Sequence, residues 1–161
     1  MQVLVMYFSK GGNTRKLAEE ITVGVRSIDG VSCLVKSVAE VTSDDFLESD
    51  GIIVGSPVYF GTMAAELKAV FDKFIVVRRK MGDTKVGAAF ATGGAPSGGK
   101  ETTIISILQA LLIYGMIVVG DPMDATGHYG VACTGVPDAH TAGDAQKLGK
   151  RVATLVKKLN G

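Results

Sequence analysis

The sequence has no tryptophan and only two cysteines and four prolines in 161 residues, with two histidines. Cys33 and Cys133 fall in different expected elements, with no CxxC pair and no histidine at metal-ligand spacing. Neither a disulfide framework nor a metal site is expected, and both thiols read as buried. Charge of one sign is also lacking: 17 basic side chains face 16 acidic ones, a net charge of +1. Such a balance gives no broad field to draw the chain onto nucleic acid or an anionic membrane, so neither is expected as a partner. No apolar run approaches the roughly 18 residues of a membrane span, and the N-terminus lacks the basic-then-apolar order of a secretory signal; a cytoplasmic protein is expected. The length suits one well-buried domain over residues 1–161, without linker or repeat.

Glycine is in excess: 21 of 161 residues, about 13%, against a usual value of roughly 7%. These glycines have no collagen period and stand between apolar segments, as tight loops of a compact protein do. Gln2 to Phe8 is a nearly unbroken apolar run, expected as a strand buried on both faces. From Asn13 the period changes, and Leu17, Ala18, Ile21 and Val25 form a helical stripe. Val31 to Val38 alternates as a second strand, Ser43 to Glu48 is a poor helix, and Asp50 to Gly55 is a third strand. Met63 to Arg79 reads as one helix and Lys85 to Ala91 as a fourth strand. Ile104, Leu108, Leu111 and Leu112 mark a helix closed by Gly115. Met116 to Gly120 is a fifth strand, Asp121 to Ala139 a long loop, and Ala145, Leu148, Val152, Leu155, Val156 and Leu159 the closing helix. This alternation implies an α/β fold: a doubly wound five-stranded parallel sheet of order 2-1-3-4-5.

Ligands of such sheets bind beyond the carboxyl ends of the strands, near the point where the winding reverses. Three loops lie there. Ser9, Lys10, Gly11, Gly12, Asn13 and Thr14 open directly into a helix; hydroxyls, flexible glycines and free amides at a helix N-terminus suit a phosphate or, more plainly, a strand-to-helix turn with Thr14 near the N-cap. The glycines are adjacent rather than spaced as in a dinucleotide fingerprint. Pro57, Val58, Tyr59, Phe60 and Gly61 place two rings before a glycine, which suits stacking on a flat heterocycle or, more plainly, packing at a helix start. Thr92, Gly93, Gly94, Ala95, Pro96, Ser97 and Gly98 offer many backbone donors. Gly94, Gly99 and Lys100 have the spacing of a triphosphate-binding loop, but Glu101 stands where the magnesium-holding hydroxyl belongs. Phosphate, stacking rings and amide donors together describe a mononucleotide with a large flat ring, and flavin mononucleotide (FMN) fits.

The segment YFSKGGNTRKLAEEI from Tyr7 to Ile21 resembles the flavodoxin phosphate loop. GSPVYFGTMAAELKAVFDKF from Gly55 and GGKETTIISILQALLIYGMIVVG from Gly98 are similar to the flavodoxin-like NAD(P)H:quinone oxidoreductases of the tryptophan-repressor-binding-protein type. The resemblance implies non-covalent FMN, with its phosphate on Ser9 to Thr14, its ring flanked by Pro57 to Gly61, and its pyrimidine side and ribityl chain on Thr92 to Gly98. It also implies hydride transfer from NAD(P)H and delivery of two electrons to a quinone, chemistry that the cofactor carries. Tyr114 takes the place of a histidine that approaches the flavin in that family. His128, within Gly127-His128-Tyr129-Gly130, resembles a segment at an active site shared between subunits. A loop as long and as rich in glycine as Asp121 to Ala139 is unusual in a compact domain unless it is functional or packs on a neighbour, and a homodimer or homotetramer is expected. The family's insertion after the second strand is missing. A flavodoxin-type carrier between redox proteins is the alternative, but such carriers are strongly acidic, and the near-neutral charge favours an enzyme acting on a small-molecule acceptor.

Overall fold

The computed structural model describes all 161 residues. Its parallel sheet runs β2(Ser32–Ser37)-β1(Gln2–Tyr7)-β3(Gly51–Pro57)-β4(Val86–Gly93)-β5(Ile117–Val118), with β6(Val131–Thr134) also paired to β4. Val3 to Met6 are fully buried because strand periodicity sends them alternately to two cores. Leu4 and Met6 join Ile52, Val54, Phe71 and Ile107 on one face, under α2(Ser43–Glu48), α3(Ala65–Phe74) and α4(Lys100–Ile113). Val3 and Val5 join Ile53, Leu17, Ile21 and Val152 on the other, under α1(Asn13–Arg26) and α5(Ala139–Asn160). The five-position order matches the sequence expectation, as does the burial of both faces.

Two glycines set the spacing of α1 and α5. A Cβ at Gly24 would stand 1.9 Å from the Gln146 carbonyl oxygen, and one at Gly149 would stand 2.1 Å from that of Ile21, so the helix backbones touch. The short α2, which looked poor in sequence, is held by a capping box: Thr42 Oγ1 accepts from the Asp45 amide, and the Asp45 carboxylate accepts from the Thr42 amide. Gly115, at φ +80°, ends α4 with its amide on Leu112 and the Met116 amide on Leu111, the paired bonds of a Schellman motif.

Four expectations need correction. The helix expected from Met63 to Arg79 is α3 followed by a 3-10 segment, Ile75–Lys80. The β-branched run Ile75-Val76-Val77 crowds an α-turn. On α4 the inward residues are Ile104, Ile107 and Leu111, while Leu112 is 55% exposed; the helix is apolar nearly all round, so its stripe was misplaced. Cys133 is buried but Cys33 only half-buried, and both are free. Finally, the loop expected from Asp121 to Ala139 contains β6. β5 pairs with Val86 and Gly87 at the start of β4, and β6 pairs with Phe90 to Gly93 at its end. Residues between Val119 and Gly130 are thus an insertion into one split strand position. Gly130 makes the return possible, because a Cβ there would meet the Ala89 carbonyl oxygen at 2.1 Å.

Candidate functional site

The three glycine-rich loops follow β1, β3 and β4 and so lie together at the carboxyl edge of the sheet. In the first loop, Gly12 takes a left-handed φ of +88° as the residue before α1 and has no side-chain cap. Ser9 Oγ accepts from the amides of Gly12, at 3.1 Å, and Arg15, at 3.3 Å. The amides of Gly11, Asn13 and Thr14 have no protein partner and are free for an anion. Thr14 stands in the first turn, two residues after the N-cap Gly12, and its side chain does not cap the helix. Its buried hydroxyl instead shares a 2.8 Å hydrogen bond with that of Thr92, tying the first loop to the end of β4.

The second loop is a two-residue hairpin. Tyr59 and Thr62 exchange backbone hydrogen bonds of 3.1 and 3.2 Å, with Phe60 at φ +51° and Gly61 at φ +79° between them. Positive φ at both central positions is the mark of a type I′ turn, which glycine fills freely and phenylalanine only with strain. Phe60 is the one non-glycine residue with positive φ, and its ring is fully exposed. Buried Ser56 anchors the loop, its Oγ accepting from the Ala64 amide at 2.9 Å and donating to the Pro57 carbonyl at 2.7 Å.

The third loop leaves Gly94 to Gly98 exposed, over a buried lysine. Lys100 Nζ donates to the carbonyls of Ala95, at 3.1 Å, and Pro96, at 2.5 Å, and to Thr134 Oγ1, at 3.0 Å. Lys100 entered the sequence reading only as part of a failed triphosphate motif; in the structure it shapes the loop. Thr102, which that reading missed, lies within 2.6 Å of the Gly61 carbonyl oxygen and 2.9 Å of that of Gly99, bridging the second and third loops. Its only sequence signal is a hydroxyl in the first turn of a helix after a glycine-rich loop. The Val58 amide donates to the Thr92 carbonyl at 2.8 Å, so all three loops are linked.

Free amides in the first loop, exposed rings in the second and exposed backbone in the third fit the phosphate, flat ring and polar ring edge of FMN. Tyr114 and His128 are not part of this crest. Tyr114 follows α4 and precedes β5, which pairs with the beginning of β4, so it lies at the opposite edge of the sheet. It is buried against Phe46 and Phe71, and its hydroxyl donates to the Phe71 carbonyl at 2.6 Å. Burial pushes its pKa up to about 12. A flavin held on the three loops of the same chain is out of its reach.

His128 is exposed in the insertion and lines a cavity of about 220 Å³ with Lys100, Glu101, Asp121, Thr126, His140 and Asp144. Asp121 is buried with both carboxylate oxygens unpartnered. Burial, and then the nearby Asp144, push its pKa up to about 6. Burial acts the same way on Asp144, but bonds from Thr126 and Lys147 outweigh it and hold that carboxyl below its usual range. No group of histidine, cysteine or carboxylate side chains is placed to hold a metal ion, and no helix is long and apolar enough to cross a membrane.

Known proteins agree with this architecture. The sequence profile of the NADPH-dependent FMN reductase family matches residues 31–129. The chain is 36% identical to a flavodoxin of Aquifex aeolicus, over 96% of this chain and 86% of the relative. It is likewise 36% identical to an NAD(P)H dehydrogenase (quinone) of Archaeoglobus fulgidus, over 98% of each. The solved flavodoxin, WrbA-like protein of Agrobacterium tumefaciens superposes with a TM-score of 0.85 at 20% identity, over 99% of each chain, a likeness of fold. The chain belongs to the NADPH-dependent FMN reductase family and is a flavodoxin-like oxidoreductase that binds FMN without a covalent bond.

Proposed function

We propose that this protein takes reducing equivalents from NADH or NADPH and passes them, through FMN, to a quinone or a similar small flat acceptor. The observation that carries this reading is an open concavity of about 690 Å³ beside the Tyr59–Thr62 turn. Tyr59, Phe60, Met63 and Ala65 give it apolar surface, and Thr62, Glu66, Lys68, Ser106 and Gln109 give it polar and charged groups, at a size that admits a small molecule. The net charge of +1 supports the same reading, because a protein-docking carrier gains its association rate from a strong field.

Bound FMN supplies the two-electron chemistry. In our reading the chain binds its phosphate with the Ser9 to Thr14 amides and hydroxyls. Pro57 to Gly61 flank the ring, and the Thr92 to Gly98 backbone donates to its polar edge. Phe60 and Tyr59 keep water from one side of the ring. His128 is a contact for the acceptor in an assembled homodimer or homotetramer, which would also cover the exposed Ile105, Leu112 and Ile113 of α4. Sizing of the loaded protein by light scattering tests that assembly, and a monomer at micromolar concentration rejects it.

The deciding experiment is anaerobic mixing of FMN-loaded protein with NADH or NADPH while flavin absorbance is followed. Rapid bleaching that benzoquinone reverses is expected; absence of bleaching with both nucleotides overturns the proposal. The second reading, an electron carrier between redox proteins, rests on the identity to the Aquifex flavodoxin and predicts that second result.

A further inference from the structure

A groove of about 900 Å³ runs from the phosphate-binding loop along the outer flank of α1, over the edge strand β2. Ser9, whose Oγ organises that loop, lines its upper end, and Arg15 from the first turn of α1 stands beside it. Arg15, Glu19, Thr22, Val23 and Arg26 form the helix wall at spacings of three and four residues, a length of about 16 Å at 1.5 Å per residue. Tyr7, Val35, Val38 and Ala39 add apolar surface from the sheet side, and Val23 is 54% exposed on the helix side.

The polar groups are open to a ligand. Arg15 spends only its Nε on Glu19, at 2.9 Å, leaving both terminal nitrogens free, and Arg26 has no ion-pair partner. Ser37 donates its amide, at 2.9 Å, and its hydroxyl, at 2.6 Å, to one oxygen of Glu40. The second carboxylate oxygen of Glu40 remains free to accept from a sugar hydroxyl or an exocyclic amine. An apolar middle, a guanidinium at each end and an open carboxylate at the lip match the parts of an adenine nucleotide: guanidinium for phosphate, carboxylate for ribose or amine, apolar walls and Arg26 for the flat base.

We infer that this groove binds the adenine-nucleotide half of a dinucleotide, next to the phosphate held by the first loop. The inference rests on the FMN reading above, because the groove is continuous with the loop assigned to the FMN phosphate. Two sources share this chemistry. An adenylate joined to the FMN phosphate is flavin adenine dinucleotide (FAD); the adenylate of NADPH would instead lie beside an FMN already in place.

Calorimetric titrations separate these sources. Protein stripped of flavin is titrated with FMN and with FAD, and FMN-loaded protein is titrated with ADP and with 2′-phospho-ADP-ribose. Tighter binding of FAD than FMN to the stripped protein identifies the first source, and binding of either adenine nucleotide to the loaded protein identifies the second. Arg26→Glu and Val23→Asp lie outside the three loops. Each is expected to weaken the adenine-nucleotide contribution at least tenfold while FMN affinity stays unchanged and the urea midpoint falls only slightly, by the helix-end and helix-propensity effects of the new acidic side chains. The inference is overturned if FAD binds no better than FMN and the loaded protein binds neither nucleotide, or if the variants leave such binding untouched. Normal FMN binding and NADPH-driven bleaching in that case leave the proposed function standing, whereas loss of FMN binding itself removes both.

Discussion

Replacing Phe60 by Asn separates the stability of the second loop from its function. Phe60 occupies a left-handed conformation at φ +51°, which costs an L-residue roughly 1–2 kcal/mol, and its ring is fully exposed, so no burial offsets that cost. Asn enters this conformation far more readily, and Asn-Gly is a favoured pair for a type I′ turn. Phe60→Asn should therefore stabilise the flavin-free protein by about 1 kcal/mol, or roughly 2–4 °C in Tm for a chain of this size. On the proposed reading the same change removes a ring from the flavin site. Aromatic stacking contributes about 0.5–1.5 kcal/mol, so FMN should bind roughly two- to tenfold more weakly. Thermal unfolding of the flavin-free variant and fluorescence titration with FMN read the two effects separately. A lower Tm would refute the claim of strain, and unchanged FMN affinity would refute the claim that Phe60 serves the cofactor. Strain held at an exposed ligand loop is the expected form of a stability cost kept for function.

Gly149→Ala should destabilise the protein by about 1–3 kcal/mol in urea unfolding, since its Cβ would collide with the Ile21 carbonyl and force α1 from α5; an unchanged midpoint would count against the close helix contact. Tyr114→Phe leaves the Phe71 carbonyl without its donor and should cost about 1–3 kcal/mol while FMN affinity stays the same; a large loss of FMN affinity would restore a flavin role for Tyr114. Because the folded-state phenol titrates at about 12 against about 10 when unfolded, its contribution is intact below pH of about 10 and is lost as pH rises toward 12; the phenylalanine variant should lack that part of the decline. For Asp121, a folded-state pKa of about 6 lies above the unfolded value, so its contribution is full below pH of about 4 and disappears as pH rises through 6. Asp121→Asn should be more stable than the parent at pH 7.5 and lose this segment of the pH profile, and a less stable variant at that pH would sink the argument.

Much of the fold was legible because burial on both faces of a parallel strand leaves a plain mark: Val3 to Met6 and Ile52 to Val54 are apolar without a break, and only a sheet covered by helices on both sides can bury them all. The split fifth position was not legible. Val131 to Thr134 is four residues long, and only its register against Phe90 to Gly93 gives it a reason to be a strand. The α4 stripe was ambiguous for a related reason, since an apolar helix has no polar face to fix its rotation.

The site divides in the same way. Strand–helix alternation placed three loops at one edge of the sheet from sequence alone, and their glycines, hydroxyls and paired rings marked them for a ligand, because backbone flexibility and free helix amides are properties of local composition. Tyr114 and His128 were assigned by likeness of position along the chain; the fold carries Tyr114 to the opposite edge and leaves His128 in the long loop where the sequence put it. The Thr14–Thr92 bond, the Thr102 bridge and the buried Lys100 join residues from different strands and loops. A sequence determines which groups a chain can offer to a phosphate or a ring. Only the tertiary structure decides which of them meet, because a hydrogen bond of under 3 Å between residues 78 positions apart depends on the packing of every element between them.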